Sequence, residues 1–261
     1  MQDAVQGKLV EQSRNLSGEP ASELLKKIKA EKAKLIAEKK LKKEKELPPI
    51  KPEEIPFEIP ENWVWCMLND ICEAIIDCPH STPHYIENET GYYGIDTNCI
   101  NEKGQITRLR SLSFESYQER IRRLVPKEND IVYAREGSIG LATFIPKGKN
   151  ICLGQRVMLF RASKAITPSF LINAVTDVGY KNRLLAKHRG MGAKHVNVKD
   201  IVESLIPLPP LSEQNRIVQK LNELMQYCNE LEASIKQSES QNEKLLQQVL
   251  REALRKEEVA V

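Results

Sequence analysis

The chain has 261 residues, enough for one sizeable hydrophobic core with additional segments, since globular domains commonly contain about 100 to 200 residues. Its 39 basic and 36 acidic residues nearly cancel, so overall charge alone excludes neither a nucleic acid nor a protein as a partner. No run approaches the ~18 consecutive apolar residues of a membrane-spanning helix, which predicts a soluble protein without a membrane partner.

The charges are distributed unevenly along the chain. Residues 26–45 contain ten lysines and three glutamates, whereas residues 51–102 contain one basic and eleven acidic residues. From Lys103 to Lys199, nineteen Lys and Arg residues stand against six Asp and Glu residues. A basic face built from this last stretch would suit a polyanion.

The cysteine content predicts reduced thiols rather than disulfides. Because no signal peptide is evident, the six cysteines indicate mostly buried thiols in a cytoplasmic protein. They are Cys66, Cys72, Cys78, Cys99, Cys152 and Cys228. The even spacing of the first three, with His80 and His84 close behind, leaves zinc binding as an alternative, but no C-x2-C pair is present. We therefore expect no metal site.

The N-terminal segment, residues 1–50, is predicted to be helical and rich in lysine. Apolar residues at roughly helical spacing, with Pro20 suited to a first turn and Pro48-Pro49 as a stop, predict a helix over residues 21–46. Its second half has few apolar positions, which favours a solvated linker helix; a phosphate-binding arm is the alternative.

A globular α+β domain is predicted over residues 51–208. It opens with an extended proline-rich lead-in, after which Trp63 and Trp65 have the spacing of one strand face. Glycine- and lysine-containing turns separate short β-like runs at 130–134, 141–145 and 156–160. Two helices and a final strand complete the prediction, at Ser113–Leu124, Pro168–Lys187 and Ser204–Leu208.

Residues 209–261 are predicted to form a long coiled-coil helix that leaves the domain through a proline elbow. Pro207, Pro209 and Pro210 can continue neither a sheet ladder nor a helix, so they impose a fixed exit angle. A helix starting at the N-cap Ser212 and ending near Lys256 would be about 65 Å long.

Apolar residues of this helix recur at alternating steps of four and three, which is the pattern of a coiled-coil seam. The predicted interface comprises Ile217, Leu221, Leu224, Cys228, Leu231, Ile235, Asn242, Leu245 and Val249. Ser238 and Asn242 place polar groups in the seam, which weakens it but can fix pairing register. Because one rod cannot bury its own stripe, the seam predicts a partner helix.

Seven stretches of the chain form a distinctive combination. They are GKLVEQSRNLSGEPASELLKKIKAEK (7–32), IPENWVW (59–65), DCPHSTPHY (77–85), NDIVYAREGSIGLATFI (129–145), GQRVMLF (154–160), GMGAKHVNVKDI (190–201) and IPLPPLSEQNRIVQKL (206–221). With these stretches the chain resembles the DNA sequence-specificity subunits of type I restriction-modification enzymes. The resemblance covers most of the chain.

The resemblance implies a target recognition domain at residues 51–208, in a family whose members carry two such domains separated by two long antiparallel helices. This sequence has one such domain, so it resembles half of that architecture. MQDAVQGKL (1–9) is also similar in pattern to LQQVLREAL (246–254), as expected for one unit of a tandem repeat. We therefore expect a homodimer formed through the long helices.

The resemblance further implies the partners. They are double-stranded DNA, methyltransferase subunits that modify adenine with S-adenosylmethionine, and ATP-driven restriction subunits. The chain itself shows no G-x-G-x-x-G cofactor loop and no catalytic constellation. We expect a non-catalytic recognition subunit without a cofactor of its own; a coiled-coil adaptor for protein, and an antirestriction mimic that binds no DNA, are the alternatives.

Three segments carry the candidate DNA contacts. The first is a polar loop between two prolines, with His80, Ser81, Thr82, His84 and Tyr85, where the resemblance places a recognition loop and where an ordinary surface turn is the alternative. The second is AREGSIG (134–140), in which glycines permit close approach to a phosphate beside Arg135 and Ser138; an ordinary glycine-serine turn between strands is the alternative. The third is a basic loop that contains Lys187, His188, Arg189, Lys194 and His195, for which a solvated loop without a DNA contact is the alternative. Arg156 is interpreted as a structural ion-pair partner.

Overall fold

The computed structural model describes residues 1–11, 19–41, 47–187 and 195–258, with the side chains of 252–258 left out. The chain divides into two compact units, Met1–Val218 and Gln219–Val261. Within the described residues, no helix is long and apolar enough to cross a membrane.

The described elements are mostly short strands and short helices, and the chain ends in one long helix. The strands are β1 (Val64–Met67), β2 (Cys72–Asp77), β3 (Tyr92–Ile95), β4 (Arg110–Ser111), β5 (Ile131–Ala134), β6 (Ala142–Phe144), β7 (Asn150–Leu153), β8 (Val157–Ala162) and β9 (Leu205–Leu208). The helices are α1 (Gln2–Val5), α2 (Ala21–Ala37), α3 (Leu68–Ile71), α4 (Phe114–Arg120), α5 (Pro168–Thr176), α6 (Val178–Ala186), α7 (Val198–Val202) and α8 (Leu211–Glu258). The predicted α+β class is confirmed.

The largest sheet is four-stranded and antiparallel, in the order β2-β8-β5-β6. All four residues of β5 are buried, as the apolar run DIVYA predicts. The register pairs Asp77 with Met158 and Ala134 with Val157. The last residues of β2 and β5 therefore lie at the same end of the sheet as the first residues of β8. We call this the loop end, and the opposite end, which contains Asp130, the turn end.

A second sheet, in the order β4-β3-β7, packs against the first. Its strands β3 and β7 run parallel, and their buried side chains Ile95 and Ile151 share a hydrophobic cluster with Val132 and Leu159 of the first sheet. Because β7 ends at Leu153 and β8 begins at Val157, their connection also lies at the loop end.

The proline elbow begins inside a strand rather than after one. β9 pairs with β1 in a two-stranded sheet, with Pro207 opposite Trp65. The expectation that Pro207 interrupts the ladder is therefore wrong. β9 has one neighbouring strand among the described residues, so a residue without an N–H is tolerated at its unpaired edge.

Two buried side chains attach the first turn of α8 to the domain. The carboxylate of Glu213 accepts hydrogen bonds from Asn62 Nδ2 (2.8 Å) and Trp63 Nε1 (2.5 Å). Gln214 donates to the carbonyl of Pro209 (3.1 Å) and accepts from the backbone amide of Thr167 (2.9 Å). The S-E-Q motif thus links the helix to the IPENWVW motif. The helix begins at Leu211, before Ser212, because the amides of Glu213 and Gln214 bond to Pro210.

The remaining differences between prediction and structure concern where the helices end and where one of them breaks. The helix predicted over 21–46 ends at Ala37, where Lys39 adopts a left-handed conformation (φ 57°) and apolar positions cease to be buried. The helix predicted over Pro168–Lys187 is two helices, because Asp177 has extended ψ and its carboxylate caps the amide of Tyr180 (3.1 Å). The predicted strands at 130–134, 141–145, 156–160 and 204–208 are confirmed with small shifts.

The buried cysteines pack as small apolar residues. Burial raises the pKa of the Cys99 and Cys152 thiols to about 11, so both stay protonated at neutral pH. In the described part of the chain, no group of three or more His, Cys, Asp and Glu residues could hold a metal ion.

Candidate nucleic-acid interface

All three polar segments singled out in the sequence have residues at the loop end of the four-stranded sheet. β2 leads into residues 78–85 and β5 leads into residues 135–140. The amide of Val196 donates to the carbonyl of Arg135 (2.9 Å), and residues 136 and 195 form an antiparallel bridge. We call residues 77–85, 135–140, 154–156 and 195–196 the loop-end cluster.

The first segment exposes its polar side chains and buries its apolar ones. The exposed side chains are those of His80, Ser81, Thr82 and His84. Cys78 and Pro83 point inward, and the amide of Cys78 donates to the carbonyl of Val157 (3.2 Å). The imidazoles and hydroxyls are therefore presented to solvent on an anchored loop. Such groups can bond to base edges and phosphates.

Tyr85 closes this segment and is tied into the domain. Its hydroxyl donates to Asp96 Oδ2 (3.3 Å), and the guanidinium carbon of Arg110 lies 3.3 Å from its ring centroid. Burial, with the nearby Asp96 carboxylate, raises the pKa of the Tyr85 hydroxyl. These contacts make Tyr85 a support of the loop, and its assignment as a DNA contact stays a prediction.

Arg120 holds the first segment through a hydrogen bond to its backbone. The sequence alone did not indicate this role. Its guanidinium donates to the carbonyls of Leu153 (2.7 Å), Gly154 (2.8 Å) and Ser81 (3.0 Å). Gly154 can accept no side chain, because a Cβ there would lie 2.8 Å from the Asp96 Cβ and from the Ile95 carbonyl. Arg120 thus joins the loop to the end of β7.

Arg135, predicted to contact DNA, forms a paired contact with Asp77. Its Nε and Nη2 atoms lie 2.8 and 3.1 Å from the two carboxylate oxygens, and both side chains are mostly buried. Arg156, by contrast, is 55% exposed and lies 3.7 Å from Glu136. The ion pair expected of Arg156 is present but exposed, whereas Arg135 forms a shorter and more buried pair, so Arg156 is the more accessible cation. A role of Arg135 in DNA binding stays a prediction.

The second segment is a tight turn that displays Ser138. Gly137 and Gly140 have positive φ angles of 71° and 89°, a conformation that favours glycine. Ile139 between them is buried, whereas Ser138 is exposed. The turn thus directs one hydroxyl outward beside the first segment.

The third segment is described at its two ends. His195 is exposed within the loop-end cluster. Lys187 follows α6 and lies instead in the wall of a cavity of about 210 Å³, together with Pro48, Glu54 and Arg183. His188, Arg189 and Lys194 lie outside the described residues.

The structure adds polar and basic residues that sequence reasoning missed. Gln155 Nε2 donates to Thr82 Oγ1 (2.9 Å) across the cluster. The exposed Arg123 lines a small crevice with Asp77 and Pro79. Among the described residues, the guanidinium groups at or next to this end include those of Arg110, Arg120, Arg123, Arg135 and Arg156, and the carboxylates beside them include those of Asp77, Asp96 and Glu136. This excess of cations suits an anionic ligand. The arginine content of the basic stretch was visible in the sequence, but its convergence was not.

The predicted coiled-coil seam is exposed over most of its length. Ile217 and Leu221 are buried. The exposed seam residues are Leu224, Cys228, Leu231, Ile235, Asn242, Leu245 and Val249. These exposed seam residues all lie on α8, which is 48 residues long. A stripe of this kind marks an interaction surface.

The chain therefore contains a mixed α/β domain that presents polar loops at one sheet end and continues into a long helix. A family model described as the type I restriction modification DNA specificity domain matches residues 60–238, and the chain belongs to this family.

Two curated relatives support the assignment. The chain is 37% identical over 249 residues to the EcoAI type I restriction enzyme specificity subunit of Escherichia coli, covering 90% of this chain and 40% of the relative. It is 28% identical to the EcoEI specificity subunit of the same organism, covering 92% and 41%. The chain thus spans about two fifths of the length of these relatives.

Two solved structures show the same fold. The HsdS subunit from Thermoanaerobacter tengcongensis is 25% identical, with a TM-score of 0.53 over 68% of this chain and 46% of that one. A chain from a study of complex assembly and conformational transition of the type I R-M system has a TM-score of 0.54 at 21% identity, over 86% and 51%.

Proposed function

We propose that this chain is a sequence-specific DNA-binding subunit of a type I restriction-modification system, in which one recognition domain reads one half-site. The observation that carries the proposal is the convergence of the predicted recognition segments on one sheet end. The guanidinium groups of Arg120, Arg123, Arg135 and Arg156 lie at that end, and exposed imidazoles, hydroxyls and an amide lie beside them. Guanidinium and backbone groups position phosphates, while the exposed loop side chains read bases.

Salt dependence tests this proposal. A DNA reader releases counterions on binding, so its observed affinity falls steeply with salt concentration. We expect the double substitution Arg189→Ala and Lys194→Ala to weaken binding and to flatten the salt dependence. Fluorescence anisotropy with a labelled duplex at several salt concentrations measures both. An affinity that does not respond to salt would support a protein-binding adaptor instead.

The proposed partners are methyltransferase and restriction subunits, which would carry out the chemistry. The support is that the relatives are specificity subunits of restriction enzymes. In this arrangement the chain supplies recognition and needs no cofactor. Co-purification of the chain with the methyltransferase subunit encoded in the same system would test the partnership, and failure to form a complex at micromolar concentrations would contradict it.

The long helix is the proposed homodimer surface. If two α8 helices pack antiparallel about a two-fold axis at Ala233, Leu231 of one chain meets Ile235 of the other. Cys228 then faces Ser238, so the polar seam position meets a small side chain. Such a dimer would present two identical domains to an inverted repeat with a fixed gap.

Disulfide trapping tests this dimer. Among the described cysteines, Cys228 is the exposed one. We expect Ser238→Cys to form a covalent dimer with Cys228 of the second chain under mild oxidation, because paired core positions bring their Cβ atoms close. The unmodified chain serves as the control. A covalent dimer of the unmodified chain would instead indicate parallel pairing, and a monomer by light scattering would contradict dimerisation.

A further inference from the structure

Arg120 is a buried cation whose partners come from two separate parts of the chain. It leaves the last turn of α4 and is 8% exposed. Its Nε and Nη2 bond to the carbonyls of Leu153 and Gly154, at the end of β7. Its Nη1 bonds to the carbonyl of Ser81 (3.0 Å) and lies 3.5 Å from the Ser81 hydroxyl. One guanidinium therefore bridges the sheet and the exposed loop.

The chemistry of these contacts differs from that of the other buried arginines. Arg135 and Arg161 each face a carboxylate, whereas the described partners of Arg120 are carbonyl oxygens and a hydroxyl. A guanidinium is a rigid planar fork with five donors, so it can hold carbonyls from two segments in a fixed relative position. The positive charge of Arg120 is therefore buried next to the loop, and the oxygens that accept its hydrogen bonds are uncharged.

The loop has few other attachments between its buried ends. Cys78 is held by Val157 at the start, and Pro83 is buried further on. Between them, Gln155 donates to the Thr82 hydroxyl (2.9 Å) and Arg120 holds the Ser81 carbonyl. The bonds to Ser81 and Thr82 thus set the direction in which the exposed His80, Thr82 and His84 project.

We propose that Arg120 is the positioning residue of the loop at residues 79–82 and thereby determines DNA sequence discrimination without contacting a base itself. This inference rests on the proposed DNA-binding function. Readout of a base edge requires a side chain to be held within a few tenths of an ångström of its productive position, so a loosened loop loses discrimination before it loses attraction to phosphates.

Arg120→Lys tests the proposal because it retains the charge and removes the fork. The preferred duplex is first selected from a random pool with the unmodified chain. We expect the ratio of affinities for the preferred and a scrambled duplex to fall about tenfold, the scale of one mismatched base pair. Affinity for the scrambled duplex should change by less than about twofold, since the phosphate contacts persist.

Arg161→Lys is the matched control. Arg161 is similarly buried and forms a paired contact with Asp130, but it lies at the turn end. We expect it to leave the affinity ratio unchanged. Amide hydrogen exchange without DNA gives an independent readout: exchange at residues 79–85 should rise in Arg120→Lys and not in Arg161→Lys.

An Arg120→Lys chain with unchanged exchange at residues 79–85, or with an unchanged affinity ratio, overturns the proposal. If Arg120→Lys fails to fold, Arg120→Gln supplies the same two readouts with a smaller group that can still donate to one carbonyl. If the unmodified chain binds no DNA, the proposed function fails, whereas a rise in exchange confined to residues 79–85 still supports the positioning role.

Discussion

Each end of the four-stranded sheet contains a mostly buried arginine–aspartate ion pair, but the two pairs join different parts of the domain. At the turn end, Arg161 faces Asp130 with N–O distances of 2.8 and 2.6 Å. At the loop end, Arg135 faces Asp77 at 2.8 and 3.1 Å. The turn-end pair is bound to its own turn, through the carbonyl of Val125 and the amide of Lys127. The loop-end pair joins strands that continue into exposed polar loops.

The presence of a buried ion pair with a carboxylate does not by itself show which arginine of this domain takes part in DNA recognition. Both arginines are mostly buried, and each is satisfied by a carboxylate. What distinguishes the loop end is the set of exposed imidazole and hydroxyl side chains that its strands position. We therefore expect substitutions at the two ends to separate stability from DNA recognition.

The largest expected effect is on stability, from Asp130→Ala at the turn end. Asp130 is 3% exposed, and its loss leaves the Arg161 guanidinium buried without its carboxylate. We expect the free energy of unfolding to fall by about 3–5 kcal/mol, measured by urea denaturation. Below the unfolding transition, the ratio of affinities for preferred and scrambled duplexes should be unchanged. A loss of discrimination in the folded variant would contradict the separation of the two ends.

Asp77→Ala at the loop end should destabilise less and change recognition more. The Asp77 side chain is 13% exposed, against 4% for Asp130, so we expect a smaller loss of about 2 kcal/mol. Release of Arg135 should increase hydrogen exchange at residues 135–140 and lower sequence discrimination. If Asp77→Ala matches Asp130→Ala in stability and keeps discrimination, the two ends are equivalent and the assignment of the interface is wrong.

Removal of an exposed cation should weaken binding to every duplex alike. For Arg123→Ala or Arg156→Ala we expect the slope of log affinity against log salt concentration to become shallower by about one unit for each phosphate that is no longer neutralised. Lys147→Ala is the matched control, because Lys147 is exposed in the turn after β6, at the other end of the sheet. Equal effects of Arg156→Ala and Lys147→Ala would indicate a diffuse attraction rather than an interface.

The smallest expected effect belongs to Gln155→Ala, which removes the bond to Thr82. This bond is exposed, so we expect its loss to cost about 0.5 kcal/mol or less in the free energy of unfolding. Discrimination should fall by about twofold, less than in Arg120→Lys. Competition binding between preferred and scrambled duplexes resolves the difference. A larger loss for Gln155→Ala than for Arg120→Lys would make Gln155, rather than Arg120, the principal support of the loop.

The sequence allowed prediction of the strands around DIVYA and of the long helix, because short apolar runs and a sustained four-three repeat arise from local periodicity. It also identified the segments at residues 80–85 and 134–140, whose glycines, prolines and hydroxyls mark polar turns. It did not indicate that Arg135 forms the more buried ion pair, with Asp77, whereas the ion pair of Arg156 with Glu136 is half exposed. Both arginines sit next to a strand, and nothing in their neighbourhood along the chain indicates which one reaches a carboxylate 58 residues away.

The sequence also did not predict that Arg120 joins the loop at residues 79–82 to the end of β7. In FESYQER it looks like an ordinary basic residue in the last turn of a helix, where cations are favoured by the helix dipole. Its bonds to Ser81 and Leu153 depend on how α4 packs against the second sheet, which contacts such as that of Tyr117 with Tyr92 establish.

By itself, the sequence determined the α+β class, the exit into a long helix and the polar character of the candidate loops, since each depends on residues close together in the chain. The tertiary structure alone decided which side chains share the loop end and which cations stay exposed there. Strand register and sheet packing bring residues 77, 120, 135, 156 and 195 to the same end of the domain. Side chains so far apart along the chain are brought together by burial of the core, and no local pattern records that.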